Sequence, residues 1–137
     1  MKIRPAVDSD IHNLVEAQSE MAWETEKIRL DEKVLETGIR AVLSDSTKGR
    51  YFVAEDRGAV VGCFMLTPEW SDWRNAYMIW LQSVYIVAHF RKSGVFREMY
   101  EYLQSIVSEN EYYAGIRLYV SKDNANAIKV YKKLGMS

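Results

Sequence analysis

The sequence predicts an α/β domain with a mixed sheet, and three observations carry that prediction. Near the amino end, Ile11, Leu14, Val15, Gln18, Met21 and Ala22 follow one another at helical spacing. In the middle the period changes to strand-like runs rich in aromatic and β-branched residues, from Tyr51 to Val87. After Arg91-Lys92-Ser93-Gly94-Val95 the helical period returns. Strands interleaved with helices in this way define the α/β class.

The elements follow in order. Lys2-Ile3-Arg4 reads as a short strand ended by Pro5. Asp8 is placed to cap the first helix, and Asp10 favours its positive start. The polar stretch Glu24-Thr25-Glu26-Lys27 interrupts the helical pattern, and Asp31 can cap a second helix with Val34, Leu35, Ile39, Val42 and Leu43 on its apolar face. Tyr51 to Glu55 reads as a strand, Asp56-Arg57-Gly58 as a hairpin turn, and Ala59 to Leu66 as the returning strand. Thr67 to Arg74 reads as a loop carrying Pro68, Trp70 and Trp73, followed by a long strand from Tyr77 to Val87. Val95, Met99, Tyr102, Leu103 and Ile106 mark one face of a helix. Ile116 to Val120 is a short strand, parallel to the Tyr77 strand through a right-handed crossover. Asp123 or Asn124 opens a last helix with Ala127, Ile128, Tyr131 and Leu134 on one face and Gly135 as its stop.

Bulk properties narrow the function classes. The chain has 137 residues, suited to a single domain over residues 1–137. Its formal net charge is -1 and its basic residues are dispersed, which argues against a nucleic-acid partner. One cysteine, Cys63, allows no internal disulfide, and with only His12 and His89 beside it no Cys/His metal site is expected. No signal-peptide pattern and no membrane-length apolar run is visible, so no membrane partner is expected and the reading is a cytoplasmic, soluble protein.

The Arg91-Lys92-Ser93-Gly94-Val95-Phe96 turn carries the chemistry. A strand ends, two basic residues pass, and a glycine lets the backbone approach a bulky group. A helix then begins, and its first amides lack internal partners and sit at the positive end of the helix dipole. Such a turn can cradle a diphosphate. A tight turn with two solvated cations is the plainer alternative.

The turn also resembles the Q/R-x-x-G-x-G/A signature of the GNAT N-acetyltransferases, with Arg91 and Gly94 in the matching places. Ile3-Arg4-Pro5-Ala6-Val7-Asp8-Ser9-Asp10-Ile11 looks like that family's first strand and helix start, and Val60-Val61-Gly62 like its second hairpin return. Asn124-x-x-Ala127-x-x-x-Tyr131-x-x-x-Gly135 looks like its late helix. The resemblance implies a mostly antiparallel central sheet flanked by helices. Phe96 stands where the signature has a small residue. The family's last two strands are not found, because the sequence stops at Gly135-Met136-Ser137. The domain is therefore read as truncated at its carboxyl end, or as completed by another chain. An open sheet edge invites such pairing, and a homodimer is one form of it.

The resemblance further implies acetyl-CoA as the acyl donor. Its contacts would come from Val84, Tyr85 and Ile86 on the strand and from Arg91 to Arg97 in the turn, with Asn124 and Tyr131 on the late helix. The Ile86 amide would polarise the thioester carbonyl, and Tyr131 would protonate the departing thiolate. Glu24 and Glu26 are candidates for the base or for an ammonium contact, and solvated surface is the alternative for each. Gln82 can position a water or substrate. Trp23, Trp70 and Trp80, with Trp73 and Tyr77, form either an aromatic wall for the acceptor or core and dimer contacts. Lys129, Lys132 and Lys133 read as a solvated helix face, and Cys63 as inert. The expected activity is direct acetyl transfer to a small-molecule amine, or to a peptide amine. The rival reading is a non-catalytic acyl-CoA-binding or interaction domain.

Overall fold

The computed structural model describes residues 1–118. Among the described residues, five strands form one sheet whose spatial order is the chain order: β1 (Lys2–Pro5), β2 (Arg50–Asp56), β3 (Ala59–Ser71), β4 (Ala76–Ile86) and β5 (Tyr113–Leu118). Every pairing is antiparallel except β4 with β5, which is parallel as expected. The expected last helix from Asp123 or Asn124 to Gly135 lies outside the described residues, as does the end of the β5 run at Val120.

Three α-helices among the described residues cover the sheet: α1 (Ile11–Glu26), α2 (Glu32–Ser44) and α3 (Val95–Glu109). On one face Ile11 and Leu14 of α1 and Ile39 of α2 pack on Tyr51, Val53 and Cys63. On the other, Val95, Met99, Tyr100 and Leu103 of α3 pack on Phe52, Phe64, Leu66, Ile79 and Leu81. The period-two alternation of β2 thus feeds two cores, one through each face of the sheet.

Several local expectations hold. Asp31 caps α2, its Oδ1 accepting the Lys33 and Val34 amides at 2.9 and 3.2 Å. The β2–β3 hairpin closes on Arg57 and Gly58, at φ 51° and 81°, the paired left-handed residues of a type I′ turn.

Others need correction. Pro5 stays in β1 opposite Phe52, which an edge strand permits. Asp8 does not cap α1, since a 3-10 turn at Asp8–Asp10 precedes it. Asp10 organises this entry instead, accepting the Val7 amide at 2.8 Å and both terminal nitrogens of Arg4 at 2.8 and 3.0 Å. Glu24 to Glu26 continue α1, which ends at Lys27 with φ 55°. Trp23 helps to hold that end, with Arg29 4.6 Å over its ring. Thr67 to Ser71 is strand, not loop, paired with Ala76 to Trp80. β2 stops pairing at Leu66, so beyond it β3 has β4 alone for a neighbour, and Pro68 disrupts no second ladder. β5 starts at Tyr113, opposite Tyr77, ahead of the expected Ile116.

Arg4 also bonds Glu55 at 2.8 Å, tying β1, β2 and the entry to α1 together. Arg4→Met is expected to destabilise the domain by about 3 kcal/mol, because it leaves the Asp10 carboxylate buried without its partner. Urea denaturation measures this. Arg4 holds the Asp10 carboxyl below the usual carboxylate range. Its contribution is therefore present above about pH 4 and lost as pH falls through the lowered value, so the gap between native and variant narrows in acid.

Candidate active site

The site is built where β4 ends. Cys63 pairs with Tyr85 but Met65 pairs with Gln82, so β4 holds one residue more than β3 over this stretch. Ser83 takes φ 51° there. This is a β-bulge, and it reverses which side chains face which layer. Before it, Ile79 and Leu81 face α3; after it, Val84 and Ile86 do, and Tyr85 turns to the α1 layer. The described β4–β5 register runs from Tyr77 to Leu81. Gly62 and Cys63 of β3 stand opposite Ile86 and Tyr85, and the other side of Val84 to Ile86 has no described partner strand.

A 3-10 turn at Ala88–Phe90 leads into the expected cradle. Arg91 is extended, Lys92 has φ 65°, and Gly94 caps α3 at φ 91°. Ser93 Oγ donates to the Phe90 carbonyl. The Glu98 amide makes the first turn of α3 with the Gly94 carbonyl at 3.1 Å, so the Val95 and Arg97 amides have no acceptor within the helix. A Cβ at Gly94 would meet nothing within 4 Å, so the glycine is there for its backbone conformation and an open approach. Val95 anchors the helix start in the core at 2 % exposure. Phe96 lays its ring along that core, stacked 6.3 Å from Tyr100.

The turn is tied to α1. Arg91 Nη2 bonds both carboxylate oxygens of Glu24 at 3.1 and 2.8 Å, and Nε donates to the Ile86 carbonyl at 2.8 Å. The Arg91 guanidinium lies 5.3 Å over the Tyr85 ring. Hydrogen bonding to Arg91 holds the Glu24 carboxyl below the usual glutamate range, and Glu24 in turn raises the arginine. Burial, then the Glu24 charge, raises the Tyr85 phenol. The sequence assigns Glu24 to the acceptor side and Arg91 to the coenzyme turn, and gives no sign of this pairing. They are 67 positions apart, and no local pattern announces it.

The acceptor-side candidates are dispersed. Trp23 lines a cleft of about 720 Å³ between α1 and the segment leading to α2, whose described walls run from His12 to Glu32. Glu26 is exposed at the end of α1. Trp70 meets Tyr77 edge-on at 5.0 Å on the β3–β4 hairpin, and Trp73 at its tip is 93 % exposed. Trp80 lies under Arg117, and Gln82 Nε2 donates to Thr67 Oγ1 across the hairpin. The aromatic cluster is therefore mainly a hairpin surface, apart from the Trp23 cleft. Cys63 is fully buried and burial pushes its thiol up to about 12, in keeping with an inert residue. Asn124, Tyr131 and the three late lysines lie outside the described residues. Among the described residues no three His, Cys, Asp or Glu side chains converge as a metal site, and no helix is long and apolar enough to cross a membrane.

A central strand that runs through a glycine turn into a helix start, beside a mostly antiparallel sheet, defines the class of this α/β domain. The Acetyltransferase (GNAT) family matches residues 9–136, and the chain belongs to this family of acyltransferases. The chain is similar to the crystal structure of a possible acetyltransferase from Clostridium difficile 630, at 40% identity over 98% of this chain and 89% of that one, with a TM-score of 0.91. A predicted acetyltransferase from Clostridium acetobutylicum, solved with acetyl-CoA, shares the fold at 20% identity, covering 99% of this chain and 89% of that one, with a TM-score of 0.78. So does glucosamine-6-phosphate N-acetyltransferase from Arabidopsis thaliana, at 19% identity, 99% and 90% coverage and a TM-score of 0.77. No curated protein matches the chain significantly.

Proposed function

We propose that the protein transfers an acetyl group from acetyl-CoA to the amine of a small molecule, by direct attack with both substrates bound. The observation that carries this reading is the Gly94 cap at φ 91°, which opens the Val95 and Arg97 amides at the start of α3 to an anion beside Arg91 and Lys92. These groups fit the diphosphate of coenzyme A. The acetyl-CoA bound by the Clostridium acetobutylicum protein and the amino sugar phosphate named for the Arabidopsis thaliana enzyme support the choice of donor and acceptor class.

In this reading the amine nitrogen bonds to the thioester carbon and the carbon–sulfur bond breaks. The Ile86 amide stabilises the charge on the carbonyl oxygen, and Tyr131 returns a proton to the thiolate. The proton lost by the amine passes to water or to Glu26, which is exposed at the end of α1. Glu24 is poorly suited to that step, because Arg91 already engages both its oxygens and lowers its basicity.

Release of free thiol from acetyl-CoA, followed across a panel of small amines and peptides, tests the proposal. At least one amine is expected to raise release well above the rate without acceptor, and Tyr131→Phe is expected to lower that turnover at least tenfold with little change in coenzyme affinity. Tight coenzyme binding with no turnover for any amine would favour the non-catalytic acyl-CoA-binding domain.

A further inference from the structure

Arg91 is held by three contacts at once, two from β4 and one from α1. Its Nε is fixed by the last carbonyl of β4 and its Nη2 by the last turn of α1, while its face rests on Tyr85. The bulge at Ser83 makes the third contact available, because without the extra residue Tyr85 would face the α3 layer. Among the described residues, Glu24 and Ile86 take the Nε and Nη2 edge, and no carboxylate or carbonyl bonds the Nη1 end of the fork. A guanidinium fixed on one edge keeps its other donors pre-oriented, whereas a free arginine must give up about 2 kcal/mol of side-chain entropy to find the same geometry. The residue that follows Arg91 is the left-handed Lys92, so holding Arg91 also holds the entrance to the cradle.

We propose that Glu24 is a positioning residue for the coenzyme turn: through Arg91 it pre-orders the cradle that receives the coenzyme diphosphate. The inference rests on the acetyl-CoA reading above and assigns Glu24 a role apart from proton transfer. A base must offer a lone pair to the substrate. Both Glu24 oxygens are instead directed at Nη2, at 3.1 and 2.8 Å. The pair is partly exposed, at 43 and 36 % for the two side chains, so its effect is moderate and weakens with salt.

Calorimetric binding of coenzyme A, together with steady-state kinetics on the best amine of the panel, tests this. Glu24→Ala is expected to weaken coenzyme binding and raise the acetyl-CoA KM about fivefold, and Glu24→Gln about twofold. In both, kcat at saturating coenzyme stays within about twofold and the pH–rate profile keeps its shape. In an Arg91→Ala background, adding Glu24→Ala should change coenzyme affinity less than twofold, since the pair is already broken. A large fall in kcat with loss of the acidic limb of the profile would make Glu24 the base and overturn the proposal. Unchanged coenzyme affinity in Glu24→Ala, with native protein that binds, would overturn it alone. Native protein that binds no coenzyme A would overturn the functional reading and this inference together.

Discussion

Gly94→Glu is expected to abolish coenzyme A binding, with a loss of at least about a hundredfold in affinity. The glycine sits at φ 91°, where an L residue is strained by about 1 kcal/mol, yet a Cβ there meets nothing within 4 Å. The fold should therefore survive the substitution. The new carboxylate would stand at the start of α3, where it can accept the Val95 or Arg97 amide itself and repel the diphosphate. Gly94→Ala separates the contributions: it carries the same backbone strain without charge, and should lose far less affinity. Calorimetry reads both variants, and undiminished binding by Gly94→Glu would remove the cradle from the site.

The second large effect concerns stability. Phe64→Ala is expected to cost about 4 kcal/mol, read as a shift of the urea midpoint at constant slope. Phe64 is fully buried and stacks on its cross-strand partner Phe52 at 5.1 Å with an interplanar angle of 12°. Strands β2 and β3 anchor this contact and α3 covers it, so the emptied space cannot easily collapse. Domains of this size retain only about 5–15 kcal/mol in total, so the variant should be measurably unfolded under mild conditions. A loss below about 1 kcal/mol would mean that the α3 layer can slide inward to fill the gap.

Where a feature depends on neighbours in sequence, the sequence announces it. Asp31 caps α2 through amides two and three residues away, and Arg57-Gly58 turns the β2–β3 hairpin within itself. The helical face from Val95 to Leu103 and the glycine of the turn were legible for the same reason. Features that depend on distant partners were not. Asp8 and Asp10 are equally good entry residues until Arg4 selects Asp10. Thr67 to Ser71, with its proline, looks like loop until β4 pairs with it past the end of β2. The Ser83 bulge leaves no mark on a run that reads as one unbroken strand, yet it decides that Tyr85 meets Arg91. Of the candidate site, the cradle followed from local chemistry. The partner of its arginine came only with the tertiary arrangement.

The sheet's strand order has a consequence for how the molecule comes to exist. Each strand lies beside the one that precedes it in the chain, from β1 to β5. Among the described strands, β1 must wait until α1 and α2 have passed before β2 arrives, whereas β2, β3 and β4 each meet their next partner across a short turn. The two hairpins that join β2, β3 and β4 can close while α3 is still in the exit tunnel, in microseconds against a synthesis rate of about 5–20 residues per second. The nascent sheet then waits with one face uncovered until α3 emerges, and during that interval Phe52 and Phe64 are the surface a chaperone would meet.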